Sequence, residues 1–119
     1  LKPVAKTMSL SLKIAKLAAE RSVPCFFADL TVNPLLVDWN KNLAARLAPL
    51  PELKVGVLET NGHQNYRNWN AMIQAHPLAG AEWIIPSRGI FELSERFYET
   101  DGGALDISPV YKAALDQGE

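Results

Sequence analysis

Short apolar runs alternate with stretches of helical period, and they do so three times along the chain. The first run is the stub Leu1 to Ala5, read as the end of a strand. A helix is predicted from about Ser9 to Arg21, where Leu10, Ile14, Leu17 and Ala18 recur at i, i+4, i+7 and i+8 and share one face. Thr7 or Ser9 can cap its first turn, while Lys13, Lys16 and Glu20 take the water side. The second run, "VPCFFADL", is apolar on both faces, as a strand buried between two layers should be. Asn33-Pro34 then supplies an N-cap followed by proline at the first helical position. The helix it starts carries Leu36, Trp39, Leu43 and Leu47 inward and stops before Pro49 and Pro51. A third run, "LKVGVLE", ends in the polar loop "TNGHQN". The next helix is predicted from about Asn65 to Ala75, with Tyr66, Trp69 and Ile73 on one face.

Strand, helix, strand, helix, strand, helix is the pattern of an α/β fold with a parallel sheet and right-handed crossovers. From Pro77 the rhythm breaks. The stretch "EWIIPSRGIFELSERFYETDGGALDI" reads as short extended pieces around a turn at Asp101-Gly102-Gly103. Ser108-Pro109 opens one last short helix that ends near Gly118. Residues 1–76 therefore form the strand–helix units and residues 77–119 a C-terminal tail. No internal repeat, low-complexity segment or linker divides the chain further.

Composition narrows the class. The 119 residues are enough for one domain, and 48% hydrophobic with 21% charged residues is ordinary for a globular core. Net charge is −1 with both signs scattered, so no basic stripe is present to neutralise phosphates and neither nucleic acid nor a membrane is expected as a partner. A single cysteine, Cys25, allows no internal disulfide and suits a reducing compartment. No apolar run approaches the roughly 20 residues of a membrane span, and no basic segment precedes an apolar signal core. A soluble, cytoplasmic protein is expected.

In parallel α/β architectures functional groups gather at the carboxyl ends of the strands. That rule selects Lys2 and Lys6 around the end of the first strand, Asp29 at the end of the second, and Glu59, Asn61 and His63 after the third. Each has an ordinary structural use as well. Lys2 and Glu59 suit a solvated rim, and Asp29 suits a helix cap or an acceptor for loop amides. Asn61-Gly62 is a turn dipeptide, and His63 needs a partner to be catalytic. Cys25 in an apolar strand reads as a core thiol, and the Trp39, Tyr66 and Trp69 spacing reads as core. The chain contains no GxGxxG, P-loop, HExxH or CxxC pair, and no local Ser-His-Asp arrangement.

The stretch "LKPVAKTMSLSLKIAKLAAERSVPCFF" resembles strand six, helix six and strand seven of the enolase superfamily, in its mandelate-racemase and muconate-lactonizing branch. "LAARLAPLPELKVGVLE" is similar to helix seven leading into the eighth strand. The resemblance covers about the first two-thirds of the chain. It implies strands six to eight, with their helices, of a (β/α) barrel of the TIM type, plus an irregular tail packed on the barrel or on the family's capping domain. Because a whole barrel needs about 250 residues, the resemblance places the chain's start inside the sixth strand of a longer enzyme. The missing N-terminal part of the same protein then becomes a partner.

The resemblance further implies an isomerase or lyase that takes the proton alpha to the carboxylate of a small substrate, as a racemase, epimerase, cycloisomerase or dehydratase. Lysine or histidine bases acting with magnesium are named examples of this superfamily's chemistry. Lys2 matches the strand-six lysine, the catalytic position. Glu59 and Asn61 match substrate-binding positions after strand eight, and Asp29 lies within a residue of the one after strand seven. The ligands for Mg2+ are implied upstream, so this segment alone is expected to be inactive, and a homo-oligomer is expected. Thr7-Met8 stands where the family has paired glycines, and "DGGALDISPVY" replaces its usual C-terminal segment, which leaves the substrate open. The alternative from residues alone is a free-standing small α/β domain that binds a ligand or partner without catalysis.

Overall fold

Pairing between the first two apolar runs and the third organises the molecule, and the strands themselves are short. In the computed structural model, which describes residues 1–29 and 31–117, β1 (Phe27–Ala28) and β2 (Leu58–Glu59) are parallel. Phe27 lies opposite Leu58 and Ala28 opposite Glu59. Leu1 joins the far edge of β1: its amino group donates to the Phe26 carbonyl at 2.7 Å and its carbonyl accepts from the Ala28 amide at 2.8 Å. Those two bonds bracket Phe27 as in a parallel ladder. The lateral order is therefore Leu1, β1, β2, which is also the order in the chain.

Helix dominates the remainder. In chain order come α1 (Pro3–Lys6), α2 (Met8–Ala19), α3 (Pro34–Ala44), α4 (Gly62–Asn65), α5 (Trp69–Gln74), α6 (Glu95–Thr100) and α7 (Pro109–Asp116), with a 3₁₀ turn at Asp101–Gly103 after α6. The caps fall where the sequence puts them. Thr7 Oγ1 accepts from the Leu10 amide, and Asn33 Oδ1 accepts from the Leu36 amide at 3.0 Å with Pro34 next in line.

Several expectations change. The stub is not a strand: Leu1 makes the two backbone bonds to β1, and Pro3–Lys6 winds into a helical turn. The helix expected over Asn65–Ala75 is two pieces, because Tyr66 is extended (φ −91°, ψ 115°) and its hydroxyl reaches the Thr31 carbonyl at 3.1 Å. Residues Glu95–Thr100 form a helix instead of an extended piece, with Phe97 buried edge-on to Trp83. The turn at Asp101-Gly102-Gly103 is present; Gly102 takes φ +66°, and a Cβ there would stand 2.6 Å from the Phe97 ring. On α2 the face turned inward is Ser11 and Ala15. Leu10, Ile14 and Leu17, expected inside, are exposed among the described residues.

α3 is buried on two sides, which a single apolar stripe does not anticipate. Leu43 and Ala44 pack with Phe27, Leu1 and Leu58 against the sheet. On the other side the tail folds back as a second cluster of Ile73, Trp83, Ile84 and Phe97. At that contact Asp38 and Lys41, 1% and 3% exposed, form an ion pair of 2.6 Å. Lys41 Nζ also donates to the Trp83 carbonyl at 2.6 Å, and Trp83 Nε1 donates to Asp38 Oδ2 at 3.2 Å. The tail is thus attached to α3 by a buried charge pair with most of its hydrogen-bonding capacity met.

Removing one partner would leave the other charge buried and unpaired. Lys41→Ala is expected to lower the unfolding free energy by about 3–5 kcal/mol, seen as a fall in the urea midpoint with little change in slope. A loss below about 1 kcal/mol would show that the pair does not hold the tail in place.

Candidate functional site

Register decides which side chains share a face. Bridge partners in a sheet point the same way, and neighbours along a strand point opposite ways. Leu1, Phe27 and Leu58 all face α3. The next residue on each, Lys2, Ala28 and Glu59, forms a backbone row at the carboxyl ends of the parallel segments. Lys2 and Glu59 are exposed, and Ala28 between them is buried.

Asp29 and Asn61 are brought together, in a different arrangement. Asp29, 8% exposed, accepts the Thr31 amide on Oδ1 at 3.0 Å and the Asn61 amide on Oδ2 at 3.3 Å. The Thr31 hydroxyl donates to Asn61 Oδ1 at 2.9 Å. This network ties the end of β1 to the end of β2, the amide-accepting use of an aspartate after a strand. Gly62 follows where little else fits: a Cβ there would lie 2.2 Å from the Val32 carbonyl and 2.7 Å from the Trp69 ring. His63 is exposed on α4, with its ring edge-on to Trp69 at 6.3 Å. Cys25 is a half-buried free thiol.

The most buried charged groups were not singled out by the sequence. Asp38 and Lys41 sit three apart on α3 and read as a surface pair at helical spacing; only their alignment with Val37 and Ala44 hints at burial. Burial holds the Lys41 ammonium below its ordinary pKa, against the opposing pull of Asp38. Its Nζ also lies 3.8 Å from the centre of the Phe91 ring. His76 completes the cluster. Its Nδ1 accepts the Leu78 amide at 3.0 Å, which assigns the proton to Nε2, 3.1 Å from Asp38 Oδ2 but off hydrogen-bonding angle.

Above this cluster lies a cleft of about 610 Å³. β2 and α3 form one side, and α5 with the turn at Ile84–Phe91 forms the other. Ser87 and Ile90 pair across that turn by amide–carbonyl bonds of 2.8 and 2.9 Å. Glu59, Thr60 and His63 also line it. The described residues contain no group of three or more His, Cys, Asp or Glu side chains placed to hold a metal. No described helix is long and apolar enough to cross a membrane.

The displaced Lys41 gives a pH test. Its folded pKa is below the unfolded value near 10.5, so between the two values the folded chain carries fewer protons on this group than the unfolded chain. Its contribution to stability must therefore rise as pH climbs through that window. Denaturant titrations should show wild type gaining on Lys41→Met as pH rises from neutral to about 10; a constant or shrinking difference would contradict the burial of a charged amine. Compared with known proteins, the chain matches no family model, no curated protein and no solved structure.

Proposed function

We propose that this chain is the C-terminal part of a (β/α)-barrel enzyme of the enolase superfamily, mandelate-racemase and muconate-lactonizing branch, in which Lys2 moves the proton alpha to a substrate carboxylate. The observation that carries the proposal is the row Lys2, Ala28, Glu59 at the carboxyl ends of parallel segments adjacent in chain order. That is where an enzyme of this architecture keeps its chemistry. Two strand spacings of about 4.8 Å put the outer members of the row roughly 10 Å apart.

Each group then has a role. The Lys2 amine takes the alpha proton, or as an ammonium it steadies the anion that forms. Glu59, across the row, accepts a hydrogen bond from a donor on the substrate. Asp29 acts through Asn61: by accepting the Asn61 and Thr31 amides it fixes the loop that carries Asn61 toward the substrate. Magnesium, held by carboxylates of earlier strands, would supply positive charge at the substrate carboxylate. The reading also gives the exposed Leu10, Ile14 and Leu17 of α2 a neighbour in the preceding strand–helix unit.

The test is alpha-proton exchange in deuterated water, followed by proton NMR on the intact protein with a panel of 2-hydroxy and N-acylamino carboxylates. Lys2→Ala should slow exchange by about 10²–10⁴-fold while KM stays within a few-fold. If Lys2 only steadies charge, Lys2→Arg retains much of the rate, because guanidinium keeps the charge but cannot take up a proton. Wild-type exchange in Lys2→Ala, or no exchange on any member of the panel, would contradict the proposal.

A further inference from the structure

The surface carries two helical patches of opposite charge, each built around exposed apolar side chains. We propose that the water side of α2 on one copy of the chain docks on the exposed face of α6 on a second copy, in a head-to-tail contact of basic helix on acidic helix.

The basic patch follows from the way α2 packs. Its inward residues are Ser11 and Ala15. Met8 and Leu12, one turn apart, are 39% and 45% exposed, and Lys16 continues their line one turn further. By the helical repeat this flank lies well round from the one that carries Leu10, Ile14 and Leu17. Lys13 and Arg21 are exposed as well, and Glu20 is the only acid among them.

The acidic patch is on the tail. Glu95, Tyr98 and Glu99 stand at i, i+3 and i+4 of α6 and so share a face. All three are exposed, Tyr98 at 44%, while Phe97 turns into the core. Positive charge nearby is already engaged. Arg46 stands 5.2 Å from the Tyr98 ring and 3.6 Å from Asp101, and Arg96 lies over the Trp83 ring at 5.9 Å.

The patches complement each other in charge and in kind. Lys13 and Lys16 meet Glu95 and Glu99, while Met8 and Leu12 cover the ring of Tyr98. Both patches are exposed, so neither is satisfied by the other within one chain. A symmetric contact of α2 on α2 would set the lysines against their own copies, which selects the acidic helix instead. Two copies joined in this way keep one basic and one acidic patch free, so the contact is heterologous and extends into a file or closes into a ring. Exposed ion pairs contribute little singly; the charges choose the partner and the apolar contact holds it.

Sedimentation velocity of the intact protein is the test. At about 0.01 M salt the mean mass should rise with protein concentration. At about 1 M salt, where charges are felt over only about 3 Å, the association should be at least about tenfold weaker. The double variant Lys13→Glu, Lys16→Glu and the double variant Glu95→Lys, Glu99→Lys should each lose the rise. An equimolar mixture of the two should regain it, because each then offers the charge that the other lacks. Leu12→Ser, which leaves every charge in place, should weaken wild-type association by about tenfold. A wild type of one mass at every concentration would overturn the proposal and leave α2 to a different partner. So would association that salt does not weaken, a reversed variant that associates alone as wild type does, or a mixture that fails to associate. Lys2→Ala should leave the association unchanged, so this contact and the proposed catalytic role stand or fall separately.

Discussion

The parallel ladder that sets Leu1, Phe27 and Leu58 side by side decides what faces what in this protein. Only a handful of backbone hydrogen bonds form it, yet a slip of one residue would exchange its two faces. With the observed register, three large apolar side chains turn toward α3 and make the sheet-side core. Lys2 and Glu59 follow at the carboxyl ends of their segments, and Glu59 and Thr60 border the cleft beside α3.

α3 connects that ladder to the tail. Leu43 and Ala44 hold it to the sheet, and Asp38 and Lys41 hold Trp83 to it from behind. A buried ion pair seldom adds much stability over an apolar replacement, but it penalises every arrangement in which its partners are separated. Here those partners include a tail carbonyl and an indole N–H, so the pair defines where the tail sits as well as closing the floor of the cleft. Gly102 allows the 3₁₀ turn to approach the same point: a Cβ there would be 3.3 Å from that of Asp38.

Local signals were legible and long-range ones were not. Thr7, Asn33-Pro34 and the diglycine turn act through neighbours in sequence, and they do what their residue types suggest. The parallel order of the runs was legible too, because apolar runs separated by amphipathic helices have few other ways to pair. Strand length was not, since "VPCFFADL" and "LKVGVLE" state apolarity while only two residues of each keep the ladder. The inward face of α2 was misread because the small residues Ser11 and Ala15 are buried while Leu10, Ile14 and Leu17 are exposed, the reverse of what an apolar stripe indicates. Tyr66 breaks its helix for a bond to Thr31, 35 positions away in sequence, which no local pattern records. For the same reason the sequence could indicate Asp29, Glu59 and Asn61 as strand-end residues but not their division between a turn network and an exposed row. The Asp38–Lys41–His76–Trp83 cluster escaped notice because His76 and Trp83 meet the Asp38–Lys41 pair only after the chain beyond α5 folds back onto α3.

The central claim is that Lys2 and Glu59 end parallel segments two strand spacings apart. It is tested most directly by nitroxide labels at these two positions in the intact protein, with Cys25 replaced by serine. The account predicts strong dipolar broadening of the continuous-wave spectrum, as expected for backbone positions roughly 10 Å apart. Spectra equal to the sum of the two singly labelled proteins would contradict it, because they would mean that Leu1 does not pair with Phe27 and that the row does not exist.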